Sequence, residues 1–206
     1  MRKLSLLIII IAAASLFTIG CGGDESVSKT SQQESAVSVQ VSVKALEGPI
    51  AETPIILTSA GQSADVKMIE SLLKKGGMEY EINEVLDSSG LGEARTLVIA
   101  IGGSSKGLGA AGIDAEDEID RIDALLKEAA AKGLTIIGMH IGGEGRRGEL
   151  SDKFIKASVE FVDYLIVVEG GDKDGMLSGI AAENDIFMSR VGSIVDSYGA
   201  LKKAFP

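Results

Sequence analysis

The chain has no tryptophan, one cysteine, one histidine and three prolines, and aromatic residues make up only 4% of it. A single cysteine excludes an internal disulfide, a CxxC redox couple and every Cys-rich metal cluster, so stability in an oxidising compartment must come from packing. A single histidine, His140, excludes zinc ligation of the usual kinds. Basic residues are scarce too: 20 Lys+Arg stand against 30 Asp+Glu, a formal charge of −10. Arg2 and Lys3 are the only charged residues ahead of Cys21, so the chain beyond is more acidic still. That balance argues against nucleic-acid binding, which needs a basic footprint. Acidic residues such as those from Asp114 to Asp123 are expected on solvated helix faces. No Gly-Lys-Ser/Thr follows any glycine-rich stretch, which excludes a Walker A loop.

The N-terminus carries what the rest lacks, a long apolar run. Arg2 and Lys3 form a positive start, Leu4 to Phe17 an apolar stretch, and Thr18-Ile19-Gly20 precedes Cys21. This pattern predicts a bacterial lipoprotein signal over residues 1–20, although Thr18 stands where such signals usually carry Leu. The run is short of the ~20 residues a membrane-spanning helix needs. The expected outcome is cleavage before Cys21 and lipidation there, with more than one acyl chain for stable anchoring. The protein is then expected on the extracytoplasmic face of a cell membrane, or on an outer membrane if the cell has two. Cys21 is consumed by the lipid, leaving no thiol for catalysis. Residues 21–50, rich in Ser, Gln and Glu, read as a flexible tether. Within it, Ala36 to Val43 alternates valine with polar residues at the period of an edge strand.

Residues 51–206 read as a single domain. Strands are predicted at Pro54–Ser59, Glu79–Val85, Thr96–Ile101, Thr135–Ile141, Tyr164–Val168 and Ile186–Ser189. Helices are predicted at Ala64–Lys75, Asp114–Ala131, Leu150–Glu160, Met176–Glu183 and Ile194–Ala204, with a long glycine loop after Ile101. Near-continuous apolar strands between helices mean an α/β fold: a mostly parallel, doubly wound sheet of five to six strands in three layers, Rossmann-like or flavodoxin-like. Ligands of such sheets sit at the carboxyl ends of the strands. Four strand ends run into small-residue loops, beginning Ser59-Ala60-Gly61, Gly102-Gly103-Ser104, His140-Ile141-Gly142 and Glu169-Gly170-Gly171, which are expected to meet on one rim. The segments PIILTSAGQSAD, TLVIAIGGSSKGLGAAGID, IIGMHIGGEGRRGELSDKFI and YLIVVEGGDKDG resemble a family of bacterial secreted or lipid-anchored single-domain proteins known only as a domain of unknown function. The resemblance implies compartment and domain organisation, and no activity.

Candidate chemistry concentrates in those loops. Gly107-Leu108-Gly109-Ala110-Ala111-Gly112 matches GxGxxG, but it starts too far from Ile101 and is followed by acids, so a mobile glycine loop is the favoured reading and no cofactor is expected. Gly103 to Gly107 matches GxSxG, giving a hydrolase alternative with Ser105, His140 and Asp172. Its residue order is wrong for a hydrolase triad, because Asp172 follows His140. Asp172-Lys173-Asp174-Gly175 holds a fragment of a calcium loop without the remaining ligands, so no metal site is expected. The main expectation is binding of a small polar, above all anionic, molecule. Ser59, Gln62 and Ser63 precede a helix N-terminus, Ser104, Ser105 and Lys106 add donors, His140 lies beside them, and Arg146 with Arg147 is expected to clamp an anion. The bland alternatives are a helix cap at Ser63, a buried structural histidine, and arginines paired with Glu144 or Glu149. A membrane transporter or sensor is the expected partner, and a pure interaction module the other non-enzymatic reading.

Overall fold

The computed structural model describes residues 42–206. The expected signal, Cys21, and the tether up to residue 41 lie outside the described residues. Six strands, β1 (Ile55–Ala60), β2 (Tyr80–Ile82), β3 (Thr96–Ile101), β4 (Thr135–His140), β5 (Tyr164–Val168) and β6 (Phe187–Val191), form one parallel sheet in the order β2-β1-β3-β4-β5-β6. The helices are α1 (Asp65–Lys75), α2 (Ser105–Ala111), α3 (Ala115–Ala131), α4 (Glu149–Ser158), α5 (Met176–Glu183) and α6 (Ser197–Lys203). The chain winds one way from β1 to β2 and the other way from β3 onward, so the winding reverses between β1 and β3.

Alternation along the strands sorts the core into two layers. Ile56, Leu97, Ile99, Ile136, Leu165 and Val167 face α3, α4 and α5, where Ile122, Leu126, Ile155 and Leu177 are buried. Ile55, Leu57, Val98, Ile137, Met139 and Ile166 face α1 and α6, meeting Val66, Ile69, Leu73 and Leu201. Both faces are covered, and this is why the strands carry no polar alternation. α1 buries Val66, Ile69, Leu72 and Leu73 and ends at Gly76, whose N–H donates to Leu72 O at 3.0 Å; Gly77 then turns the chain at φ +63°. Among the described residues no helix is long and apolar enough to cross a membrane.

Two expectations need correcting. Residues 44–50 are part of the domain rather than tether: Leu46 is buried, Met188 N–H donates to Lys44 O at 2.8 Å, and Ile50 N–H donates to Ala204 O at 2.9 Å. Lys44 bridges Phe187 in parallel at the outer edge of β6, one residue beyond the alternating-valine segment. The supposed glycine loop contains α2, capped by Ser104 and closed by Gly112 at φ +71°. Helix propensity is low there, and burial of Leu108 with packing of Gly107 supplies the helix instead.

Candidate functional site

The loops after β1 and β3 meet at the reversal point and are joined there by backbone. Gln62 bridges Gly103, Ser104 N–H donates to Gly61 O at 2.8 Å, and a Cβ on Gly107 would stand 1.9 Å from Gln62 O. Beneath this junction Glu118, with 0% exposure, takes four N–H donors: Gly61 N at 2.9 Å, Gln62 Nε2 at 3.0 Å, Arg121 Nε at 2.7 Å and Arg121 Nη2 at 2.8 Å. Arg121 also donates to Ser59 O at 2.6 Å and to Leu86 O. Glu118 therefore does not lie on a solvated face as expected. It occupies the inward stripe of α3 with Ile122, Leu125 and Ala129, and an acid on an apolar stripe, three residues from an arginine, was the available signal.

Gln62 and Ser63 are buried structural groups here: the Gln62 amide also donates to Glu84 O at 3.0 Å, and Ser63 Oγ accepts from Asp65 N at 3.2 Å. Ser59 is fully buried, and its Oγ has no partner. Ser104 Oγ accepts from Gly107 N at 3.0 Å as the α2 cap, and Ser105 and Lys106 are exposed on the first turn of α2.

The first turn of α1 already has its anion. Asp65 is 1% exposed, and its Oδ1 accepts from Arg146 Nε at 3.1 Å, while Oδ2 has no partner. Gly102 and Gly142 lie alongside, since a Cβ on the latter would stand 2.6 Å from Asp65 Oδ2. An internal carboxylate thus offsets the helix dipole where an external anion was expected.

The arginine clamp is likewise corrected. Arg147 donates from Nε to Asp152 at 2.8 Å, from Nη1 to Gly171 O at 2.7 Å and to Asp174 at 2.9 Å, and from Nη2 to the other Asp174 oxygen at 2.9 Å. These bonds raise the guanidinium pKa further, and they hold the Asp174 carboxyl down to about 2 and Asp152 below its ordinary range. With Lys173 bonded to Glu144, they tie segment 142–148 to segment 169–175. The partners are Asp65, Asp152 and Asp174 rather than Glu144 or Glu149, because folding brings α1, α4 and the loop after β5 beneath the arginines.

His140 is fully buried, and its Nδ1 lies 2.9 Å from Ile101 O. A carbonyl only accepts, so Nδ1 carries the proton and Nε2 presents a lone pair; that lone pair has no partner. Burial, the largest influence, pushes the imidazole pKa below its usual value, and Ile101 O opposes it. Gly171 covers the ring so closely that a Cβ there would stand 2.8 Å from Nε2. Asp172 turns the other way: its Oδ1 accepts from Leu177 N at 2.8 Å and Ser178 N at 3.3 Å at the start of α5, and its buried Oδ2 has no hydrogen bond, with Arg190 Nε 3.8 Å away. No hydrogen bond links Ser105, His140 and Asp172, so the hydrolase constellation is not assembled. Among the described residues no three His, Cys, Asp or Glu side chains converge as metal ligands.

Cavities of about 440 and 350 Å³ lie at the opposite, amino end of the sheet, sharing Ile50 and Phe187. At the carboxyl rim, buried acceptor atoms of Asp65, His140 and Asp172 have no hydrogen-bond partner.

The fold defines a doubly wound parallel α/β domain of the Rossmann-like class, with its sheet reversal at β1 and β3. The chain belongs to the family described as Domain of unknown function (DUF6305), whose model matches residues 52–205. No curated protein matches it. Among solved structures it is similar to a GDSL-like lipase from Bacteroides thetaiotaomicron, at 10% identity and a TM-score of 0.34 over 66% of each chain. It is also similar to a GDP-L-fucose synthetase from Naegleria fowleri bound to NADP, at 14% identity and a TM-score of 0.35, covering 74% of this chain and 54% of that one. A third is a candidate GMP synthase protein from Thermoplasma acidophilum, with 18% identity, a TM-score of 0.33, and 52% of this chain against 45% of that one. The chain thus spans less than two thirds of the length of these structures, and none of their activities is carried over.

Proposed function

We propose that this is a lipid-anchored, extracytoplasmic binding protein that holds a small polar ligand at the carboxyl end of its sheet for a membrane transporter or sensor. The reading of compartment rests on the signal-like N-terminus and Cys21. The binding reading rests on one observation: Asp65 Oδ2 and His140 Nε2 are buried acceptors without a hydrogen-bond donor on the carboxyl side of the sheet, where such folds place ligands, and Asp172 Oδ2 there has only Arg190 Nε at 3.8 Å. Leaving a buried polar atom unpaired costs about 1–3 kcal/mol, which a donor on a ligand would recover. The chemistry favoured is donor-bearing rather than anionic, because Arg147 is fully engaged, Arg146 and Arg190 each face a buried aspartate, and the first turn of α1 holds Asp65. A serine hydrolase using Ser105 and His140 has no such support.

The test is a thermal-shift screen of the full chain in detergent against primary amines, guanidinium compounds, amino acids, carboxylates, phosphate and divalent cations. A ligand at 100 times its Kd stabilises by about 2.7 kcal/mol, a rise of roughly 5–10 °C for a domain of this size. A shift confined to one chemical class supports the proposal; a flat response to all of them refutes small-ligand binding.

A further inference from the structure

Two adjacent arginines at the rim are held in different ways. Arg147 is 14% exposed and spends every guanidinium nitrogen on Asp152, Asp174 or Gly171 O. Arg146 is 33% exposed and makes a single hydrogen bond, through Nε, to Asp65 Oδ1 at 3.1 Å. The other oxygen of that carboxylate is buried with no donor, although the Asp65 side chain is only 2% exposed. A buried carboxylate offers about four acceptor positions. Asp65 is therefore engaged, but far from satisfied, by the looser of the two arginines.

The surroundings fit displacement of that arginine. Arg146 lies in a segment containing Gly142, Gly143, Gly145 and Gly148, of which Gly143 at φ +62° and Gly148 at φ +127° hold conformations that other residues resist. The segment is pinned independently by Arg147, so departure of the Arg146 side chain loosens the loop around it without detaching the segment from 169–175. A Cβ on Gly142 would stand 1.9 Å from Arg146 Cγ and 2.6 Å from Asp65 Oδ2, so only glycine allows the guanidinium to approach this carboxylate. On the opposite flank a Cβ on Gly102 would stand 3.7 Å from Ser63 Oγ and 3.9 Å from Asp65 Oδ2, which places a hydroxyl acceptor within the same neighbourhood. The acidic chain, at a formal −10, favours encounter with cations.

We infer that Asp65 is the anchor for a cationic nitrogen group, ammonium or guanidinium, of the ligand, and that Arg146 is an internal stand-in occupying that position until the ligand displaces it. This rests on the rim-binding reading above and adds to it the charge of the ligand and the group that competes with it. The exchange replaces one N–H bond on Oδ1 with a donor set reaching both oxygens, and releases Arg146 to solvent. Affinity in the wild type is reduced by that competition.

The experiment is calorimetric titration of the full chain with methylguanidinium, with tetramethylammonium as a cation lacking N–H donors and inorganic phosphate as an anion. Arg146→Ala, and Arg146→Met, which keeps the aliphatic stem, should bind methylguanidinium at least tenfold more tightly than wild type. Adding Asp65→Asn to either should abolish the gain. In wild type, saturating methylguanidinium should speed amide exchange at residues 143–148 while leaving 169–175 unchanged. Equal affinity in wild type and both Arg146 variants, equal binding of tetramethylammonium, or slowed exchange at 143–148 would overturn the inference. Binding of phosphate alone would overturn it while leaving rim binding standing, whereas no binding of any of the three probes in wild type or variants would count against both.

Discussion

Substitution of Glu118 by Ala would remove the acceptor for four N–H donors, including the backbone N–H of Gly61 and two nitrogens of Arg121. Arg121, at 13% exposure, would be left as a charge buried without its partner. Breaking a buried pair in this one-sided way costs about 3–5 kcal/mol, a large share of the roughly 5–15 kcal/mol available to a domain. At about 2–4 °C per kcal/mol, the melting temperature should fall by roughly 6–20 °C. Urea unfolding monitored by circular dichroism reads this directly as a lower midpoint with an unchanged slope. The paired replacement Glu118→Leu with Arg121→Met should cost less than Glu118→Ala alone, because no charge is then stranded, although Ser59 O and Leu86 O lose their donor. A loss below about 1 kcal/mol for Glu118→Ala, the order of an exposed ion pair, would refute the placement of this pair beneath the β1 loop.

The buried imidazole makes acid stability testable. Its folded pKa lies below the unfolded value of about 6.5, so its contribution is fully present above that pH and is lost as pH falls through the depressed folded value. A proton NMR titration of this sole histidine should show a midpoint under 6.5, and His140→Gln should flatten the pH dependence of the urea midpoint in that window; a midpoint above 6.5 would contradict the burial argument. Within α2, Gly107→Ala should destabilise by about 1–3 kcal/mol because its Cβ would meet Gln62 O. Gly109→Ala, with nothing within 4 Å, should stabilise by about 0.5–1 kcal/mol, and equal effects in thermal melts would deny the packing role of Gly107. Arg147→Lys should behave almost as badly as Arg147→Ala in the same melts, since an ammonium cannot reproduce the fork onto Asp152, Asp174 and Gly171 O; full rescue by lysine would show that charge alone matters.

By itself the sequence determined the layers and their order of appearance. β3, β5 and α5 coincide with the stretches Thr96–Ile101, Tyr164–Val168 and Met176–Glu183, because continuous apolar runs between helical periods are local signals that tertiary context reinforces. The convergence of the glycine loops on one rim followed from parallel strands, which put all their carboxyl ends on one side. α2 was illegible, since a segment reading Ser-Lys-Gly-Leu-Gly-Ala-Ala has poor helix propensity and is helical only because Leu108 and Gly107 pack against the β1 loop. The site chemistry was decided by partners far apart along the chain. Arg146 meets Asp65 across 81 positions and Arg147 meets Asp174 across 27, and no local pattern states whether an arginine is free to bind a ligand or is already bound. Strand order, the burial of Glu118 and the lone pair of His140 left without a donor belong to the same class. Local periodicity reports which residues face inward, whereas the pairing of charges depends on which loops the folded sheet brings into contact.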